Sequence, residues 1–103
     1  MMPRTRTCAF DSSAWKSTPA TLDANSLRLR MVDDLLRSQR LVGMSREQIE
    51  DLLGPGGDAA YSHHYDLKYY LGPERRFAGI DSEWLVFKLD SAGIVSEAKI
   101  VND

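Results

Sequence analysis

The spacing of hydrophobic residues changes once along the chain, from a helical period to a strand period. Over residues 26–41, hydrophobic side chains recur at helical spacing between charged ones. This pattern predicts a helix, and its hydrophobic face comprises Leu27, Met31, Val32, Leu35 and Leu36. A second, shorter helix is predicted over residues 46–53.

The second predicted helix has clear signals at both ends. Ser45 is a predicted N-cap, and Gln48 follows three residues later, which makes a capping box. Ile49 and Leu53 supply the hydrophobic face, and Gly54 is expected to end the helix. These five residues are therefore predicted to form the structural motif of the fold.

Beyond this helix, hydrophobic and polar residues alternate, which is typical of strands with one buried face. Strands are predicted over residues 61–71, 83–90 and 94–101, and the last two are joined by a tight turn from Asp90 to Gly93. The predicted fold class is α+β, with two N-terminal helices packed on one face of a three-stranded antiparallel sheet (ααβββ).

The length of 103 residues suits one domain. Residues 1–24 are rich in Ser, Thr, Ala and Asp and have no sustained period, so a flexible N-terminal segment is predicted there, tethered locally by Phe10 and Trp15. The α+β domain is predicted to cover residues 25–103.

Composition and charge exclude several classes of protein. The chain has 13 Lys and Arg against 15 Asp and Glu, whereas nucleic-acid-binding proteins usually carry a basic excess. No hydrophobic stretch is long enough to span a membrane. The single cysteine, Cys8, excludes an intramolecular disulfide and a cysteine-based zinc cluster. No signal peptide is apparent, so we expect a cytoplasmic location as written, and a periplasmic or outer-membrane one if the start is truncated.

Candidate catalytic groups do not form a recognisable site. His63 and His64 are adjacent, so in a strand they point to opposite faces and cannot bind one metal together. Cys8 has no adjacent histidine that could act as its general base. We therefore predict no catalytic residue, metal site or cofactor. A metal-dependent or hydrolytic enzyme acting through His64 and Asp66, which share a strand face, is a minor alternative.

The aromatic residues of the strands suggest a binding surface. If the helices cover one face of the sheet, the other face is either solvated or bound. Alternation places Tyr70, Trp84 and Val86 on that second face, and Tyr and Trp are common at binding hot spots. The predicted partner-binding residues are these three together with the loop residues Glu74, Arg75 and Arg76. Alternatively, Trp84 packs beneath residues 1–24 or the loop 74–79.

The second helix and its flanks resemble the SmpA/OmlA family of outer-membrane assembly lipoproteins. The resemblance rests on Gly43-Met44-Ser45 before the helix and on Leu52-Leu53-Gly54-Pro55 at its end. The aromatic strand and the final hairpin are also similar, so the resemblance covers residues 26–103. It implies two helices on a three-stranded sheet, related to the β-lactamase inhibitor protein, and a non-enzymatic accessory role. The chain lacks the family's lipobox before Cys8.

These observations predict a non-enzymatic protein-binding module, with an accessory role in an envelope or outer-membrane assembly complex implied by the resemblance. The predicted partner is another protein, and the edge of the last strand also permits a homodimer. The alternative is a cytoplasmic small-ligand-binding or sensor domain that uses the aromatic face as one wall of a pocket.

Overall fold

The computed structural model describes residues 8–17, 27–55, 65–73 and 82–102. Its elements, in chain order, are the helices α1 (Ser12–Ser17), α2 (Leu27–Ser38) and α3 (Arg46–Leu53), followed by the strands β1 (Leu67–Pro73), β2 (Ser82–Leu89) and β3 (Val95–Asn102). The strands form an antiparallel sheet in the order β1-β2-β3. The predicted α+β class is confirmed.

Helix α1 has no counterpart among the predicted elements, so the described order begins with three helices instead of two. The helix has six residues, and only Trp15 is buried, with no accessible surface. The Cys8 N–H donates to the Arg30 carbonyl (2.8 Å), and the Phe10 N–H donates to the Asp34 carboxylate (2.7 Å). Residues 8–17, predicted to be part of a flexible segment, therefore contribute to the core and are hydrogen-bonded to α2.

Strand β1 begins at Leu67, whereas the alternating pattern predicted a strand from residue 61. Residues 61–64 lie outside the described part of the chain, and residues 65 and 66 are not in a strand. The Asp66 carboxylate accepts a hydrogen bond from the Leu89 N–H (2.7 Å). The Asp66 N–H also donates to the Phe87 carbonyl (2.8 Å), and the regular pairing with β2 starts at Leu67.

Helix α2 ends at Ser38, three residues before the predicted end. The Ser38 hydroxyl donates to the Asp34 carbonyl (2.7 Å), and a turn follows in which the Met44 N–H donates to the Leu41 carbonyl (3.1 Å). This local hydrogen bonding competes with continuation of the helix. Helix α3 has the predicted bounds.

One cluster of buried side chains contains residues from all three helices and all three strands. Along β1 and β2 its members alternate, as the period-two pattern predicted, whereas β3 contributes Val95. The fully or almost fully buried members are Trp15, Leu29, Met31, Val32, Leu35, Leu41, Ile49, Leu53, Leu67, Tyr69, Leu71, Leu85, Phe87 and Val95.

The predicted capping box of α3 is confirmed. The Gln48 N–H donates to Ser45 Oγ (3.2 Å), and the Ser45 N–H donates to Gln48 Oε1 (2.9 Å). Gly54 follows the helix with a φ of +85°, a conformation that other residues rarely adopt. A Cβ atom at this position would also lie 3.3 Å from the Lys16 side chain. The positive φ is therefore the reason that a glycine suits position 54, and a side chain there would also displace Lys16 slightly.

Other elements satisfy the backbone carbonyls at the C-terminal end of α3. The Ser12 hydroxyl donates to the Leu52 carbonyl (2.6 Å), and Lys16 Nζ donates to the Asp51 carbonyl (2.9 Å). The buried Tyr69 hydroxyl of β1 donates to the Gly54 carbonyl (2.8 Å). Burial, and secondly the charge of Glu50, raises the pKa of Tyr69 to about 12.

Replacing Ser45 by Ala removes the acceptor for the Gln48 N–H and is expected to lower the free energy of unfolding by about 0.5–2 kcal/mol. Urea denaturation measures this change. Ser91→Ala, at an exposed position in the β2–β3 turn, is the matched control and is expected to change stability by less than about 0.5 kcal/mol. Equal midpoints for the two variants would contradict the capping role.

Replacing Tyr69 by Phe leaves the Gly54 carbonyl without its donor and is expected to cost about 1–2 kcal/mol at neutral pH. In the wild type, the unfolded chain loses the Tyr69 proton near pH 10, before the folded chain with its pKa of about 12. This contribution to stability is therefore present below pH 10 and is lost between pH 10 and 12. Chemical denaturation across that range should show a steeper fall for wild type than for Tyr69→Phe; parallel profiles would refute the assignment.

Candidate functional site

The sheet face opposite the core residues, called the outer face below, carries two rows of side chains across the strands. One row contains Tyr70, Trp84 and Val101, which are neighbours in the strand register. The other contains Lys68, Val86 and Lys99. The predicted site residues Tyr70, Trp84 and Val86 therefore lie together on one face.

Tyr70 and Trp84 form an aromatic pair at the centre of the outer face. Their ring centroids lie 5.1 Å apart at an interplanar angle of 62°, an edge-to-face arrangement. Both residues are half-buried. The Tyr70 hydroxyl and the Trp84 indole N–H are buried without a hydrogen-bond partner in the structure described here, which is costly for polar groups.

Two lysine side chains lie against aromatic rings on this side of the sheet. Lys68 Nζ lies 4.3 Å from the centre of the Trp84 ring, a close cation–π contact. Lys99 Nζ lies 5.6 Å from the Tyr65 ring and 3.3 Å from the Glu97 carboxylate. Hydrogen bonds to Glu97 and secondly to Tyr65 raise the pKa of Lys99, so its charge is maintained.

The outer face is more basic than the chain as a whole. Among the described strand residues, Lys68, Lys88 and Lys99 lie on β1, β2 and β3 of this face, and Glu97 is the register partner of Lys88. The complete chain has a formal charge of −2. The predicted binding residues of this face, Tyr70, Trp84 and Val86, do not include the three lysines, although the same alternation places the lysines beside Trp84.

Val86, predicted to be a partner-binding residue of this face, is covered by other side chains in the unbound chain. It has no accessible surface, although it is not part of the core cluster. Its strand neighbours are Lys68 and Lys99, whose long hydrocarbon stems can shield an adjacent valine from water. In the described part of the chain, the exposed large hydrophobic residue is Val42, at 51%.

The edge of β3 is a second surface with unused binding groups. The Phe87 carbonyl of β2 accepts a hydrogen bond from the Asp66 N–H (2.8 Å), so it points towards β1. Its β3 partner Ala98 therefore points its own N–H and C=O away from β2, as does Ile100 two residues later. Among the described residues, these outward groups have no hydrogen-bond partner.

A groove lies beside this edge, between the end of α2 and β3. Its volume is about 240 Å³. The lining combines hydrophobic side chains with one amide and one guanidinium group, and consists of Leu36, Gln39, Arg40, Leu41, Val42 and Ala98. No sequence pattern indicated this groove, because it joins residues from distant parts of the chain.

Several predicted candidates lie outside the described residues: Glu74, Arg75, Arg76, His63 and His64. Asp66 is described, and its carboxylate accepts the Leu89 N–H, which is a structural role. The residues that the structure describes contain no cluster of three side chains suited to holding a metal ion.

Comparisons with protein-family models, with curated proteins and with solved structures found no match to this chain. None of the helices in the described ranges has the length and hydrophobicity needed to cross a membrane.

Tyr70→Phe is expected to leave the free energy of unfolding unchanged or to raise it by up to about 1 kcal/mol, because the hydroxyl that it removes is buried without a partner. Tyr69→Phe, one position earlier in the same strand, is the matched control and removes a hydroxyl that is hydrogen-bonded. Thermal or urea denaturation of both variants provides the test. If Tyr70→Phe lowers the free energy of unfolding by as much as Tyr69→Phe does, the Tyr70 hydroxyl has a hydrogen-bond partner in solution.

Proposed function

We propose that this domain is a non-enzymatic protein-binding module and that its outer face contacts the partner. We also infer that the helices cover the opposite face of the sheet, since residues of all three helices share the core cluster with alternate residues of the strands. Among the described residues, that arrangement leaves the outer face of the sheet available to a partner.

The observation that carries this proposal is the Tyr70–Trp84 pair within a group of lysines. Aromatic side chains contribute large contact areas at protein interfaces, and the pair holds two buried polar atoms without partners. Lys68, Lys88 and Lys99 favour an acidic partner surface, which would be attracted by charge before close contact is made. The partner is therefore expected to present carboxylates to the lysines and a flat contact surface to the aromatic pair.

The resemblance to the SmpA/OmlA family provides the proposed biological setting, an accessory subunit of an envelope or outer-membrane assembly complex. The confirmed capping box at Ser45 and Gln48 and the glycine at position 54 belong to the motif that carries this resemblance. These residues stabilise α3, so they support the fold more directly than the setting.

Within the described residues, the alternative of a small-ligand-binding or sensor domain has less support. The groove beside β3 has about 240 Å³, whereas sites for drug-sized ligands usually have about 300–1,000 Å³. The aromatic pair lies on a sheet face, and it does not line this groove.

Affinity capture from native lysate tests the proposal. Wild type is expected to retain an acidic partner protein, and Lys68→Gln is expected to weaken its capture because it removes the cation above Trp84. Lys16→Gln, at an exposed lysine of α1, is the matched control and should capture as wild type does. Circular dichroism checks that each variant folds, and mass spectrometry identifies the captured protein.

The outcomes separate the alternatives. If wild type and Lys68→Gln capture the partner equally well, the outer face is not the partner-binding surface. Binding of a single-stranded oligonucleotide to wild type and not to Lys68→Gln would assign this face to nucleic acid instead. A small molecule retained through purification and seen by native mass spectrometry would favour the ligand-binding alternative.

A further inference from the structure

The free edge of β3 has a defined length, because the segment that precedes α3 covers its beginning. The Gly43 N–H donates to the Val95 carbonyl (2.9 Å), and the Val95 N–H donates to the Met44 carbonyl (2.8 Å). A chain added to this edge can therefore pair with the strand beyond Val95, and it meets the backbone of residues 43 and 44 if it continues further.

A β-bulge between Val95 and Ala98 determines which groups face outwards beyond that point. The register with β2 shifts by one residue between Lys88 and Leu89, so the backbone groups of Val95 and Ala98 both point to the edge. Ala98 and Ile100 each offer one outward N–H and one outward C=O group to an added strand. This is the arrangement used in recognition by strand addition.

The groove is placed to accept a side chain from such a strand. A residue directly opposite Ala98 would have its side chain on the same sheet face as the Ala98 side chain, which lines the groove. Leu36, Leu41 and Val42 provide hydrophobic walls there, and Val42 is 51% exposed in the absence of an occupant. A single large aliphatic or aromatic side chain suits this combination of size and chemistry.

We propose that the β3 edge and the groove bind the C-terminal end of a partner protein. The bound segment adds an antiparallel strand to Ala98 and Ile100, places a hydrophobic terminal side chain in the groove, and directs its terminal carboxylate to Arg40.

Charge determines the direction of the bound segment. An antiparallel strand runs from Ile100 towards Ala98, so its C-terminus arrives at the groove just before residues 43 and 44 close the edge. Arg40 lines the groove and has no ion-pair partner in the described part of the chain, and Gln39 adds a second donor. A parallel strand would instead bring a terminal ammonium group to Arg40, which is unfavourable.

The β3 edge and the groove form a different surface from the outer face, and peptide binding there is independent of the function proposed for the outer face. The side chains of Lys68 and Trp84 lie on the opposite side of the sheet from the groove residue Ala98. Lys68→Gln should therefore leave peptide binding unchanged, so the failure of one proposal is distinguishable from the failure of the other.

The test uses the synthetic peptide Thr-Val-Thr-Val-Leu with a free C-terminal carboxylate, and the same peptide with a C-terminal amide. Binding to the full chain is measured by titration calorimetry, and hydrogen exchange reports on the amides of Ala98 and Ile100. The free acid is expected to bind and to protect both amides. The amide is expected to bind at least about tenfold more weakly, because it loses a charge-assisted hydrogen bond.

Three variants locate the site. Arg40→Gln should reduce binding of the free acid to that of the amide, whereas Arg37→Gln, at an exposed arginine of α2 outside the groove, should not. Ala98→Pro removes an outward N–H without removing a bond to β2, so it should abolish binding while the circular dichroism spectrum is retained. If Ala98→Pro unfolds, Val42→Gln tests the groove without altering the backbone.

Each contrary outcome overturns the proposal. Equal affinities of the acid and the amide would exclude recognition of the carboxylate, and an absence of binding at millimolar peptide would exclude the site. Protection of Ala98 and Ile100 in the free protein that increases with protein concentration would assign this edge to a second copy of the chain.

Discussion

The backbone hydrogen bonds between residues 43–44 and Val95 connect the helical half of the chain to the sheet. They position the start of α3 against the start of β3, and Ser45 and Ile94 form a β-bridge at the same point. At the other end of α3, the Tyr69 hydroxyl bonds to the Gly54 carbonyl. Helix α3 is therefore attached to the sheet at both ends, and its short hydrophobic face needs only Ile49 and Leu53 to reach the core.

The two faces of the sheet are buried by different means. On the core side, hydrophobic side chains from helices and strands exclude water together. On the outer face, Val86 is inaccessible next to two lysines, and Trp84 is half-buried with Lys68 above its ring. Lysine stems are mobile compared with packed core residues, so a partner could displace them at low cost. Half-buried aromatic residues on this face are therefore compatible with solubility and with binding.

The parts of the fold that the sequence predicted are those in which one physical signal repeats. The hydrophobic pattern of α2 repeats over several helical turns, and that of the strands over several alternations. In α3, the residues Ser45, Gln48 and Gly54 all indicate the same helix ends. Helix α1 could not be predicted, because it has six residues and a single buried one, Trp15, and is held by hydrogen bonds to distant residues. For the candidate site, alternation placed Tyr70 and Trp84 on one face. It could not show that Val86 is covered or that α2 and β3 enclose a groove, because both depend on contacts between distant segments.

The position of the β-bridge at Ser45 also has a consequence for how the chain reaches its native state. The β2–β3 hairpin closes over the short turn at Asp90, whose carboxylate accepts the N–H groups of Ala92 and Ile94. Ser45 and Ile94 lie in opposite halves of the chain. Closing the long loop between them therefore costs more conformational entropy than closing the hairpin turn. Contacts of this kind slow folding. The hairpin is thus expected to assemble first, and the docking of α3 onto β3 would be the later, rate-determining event.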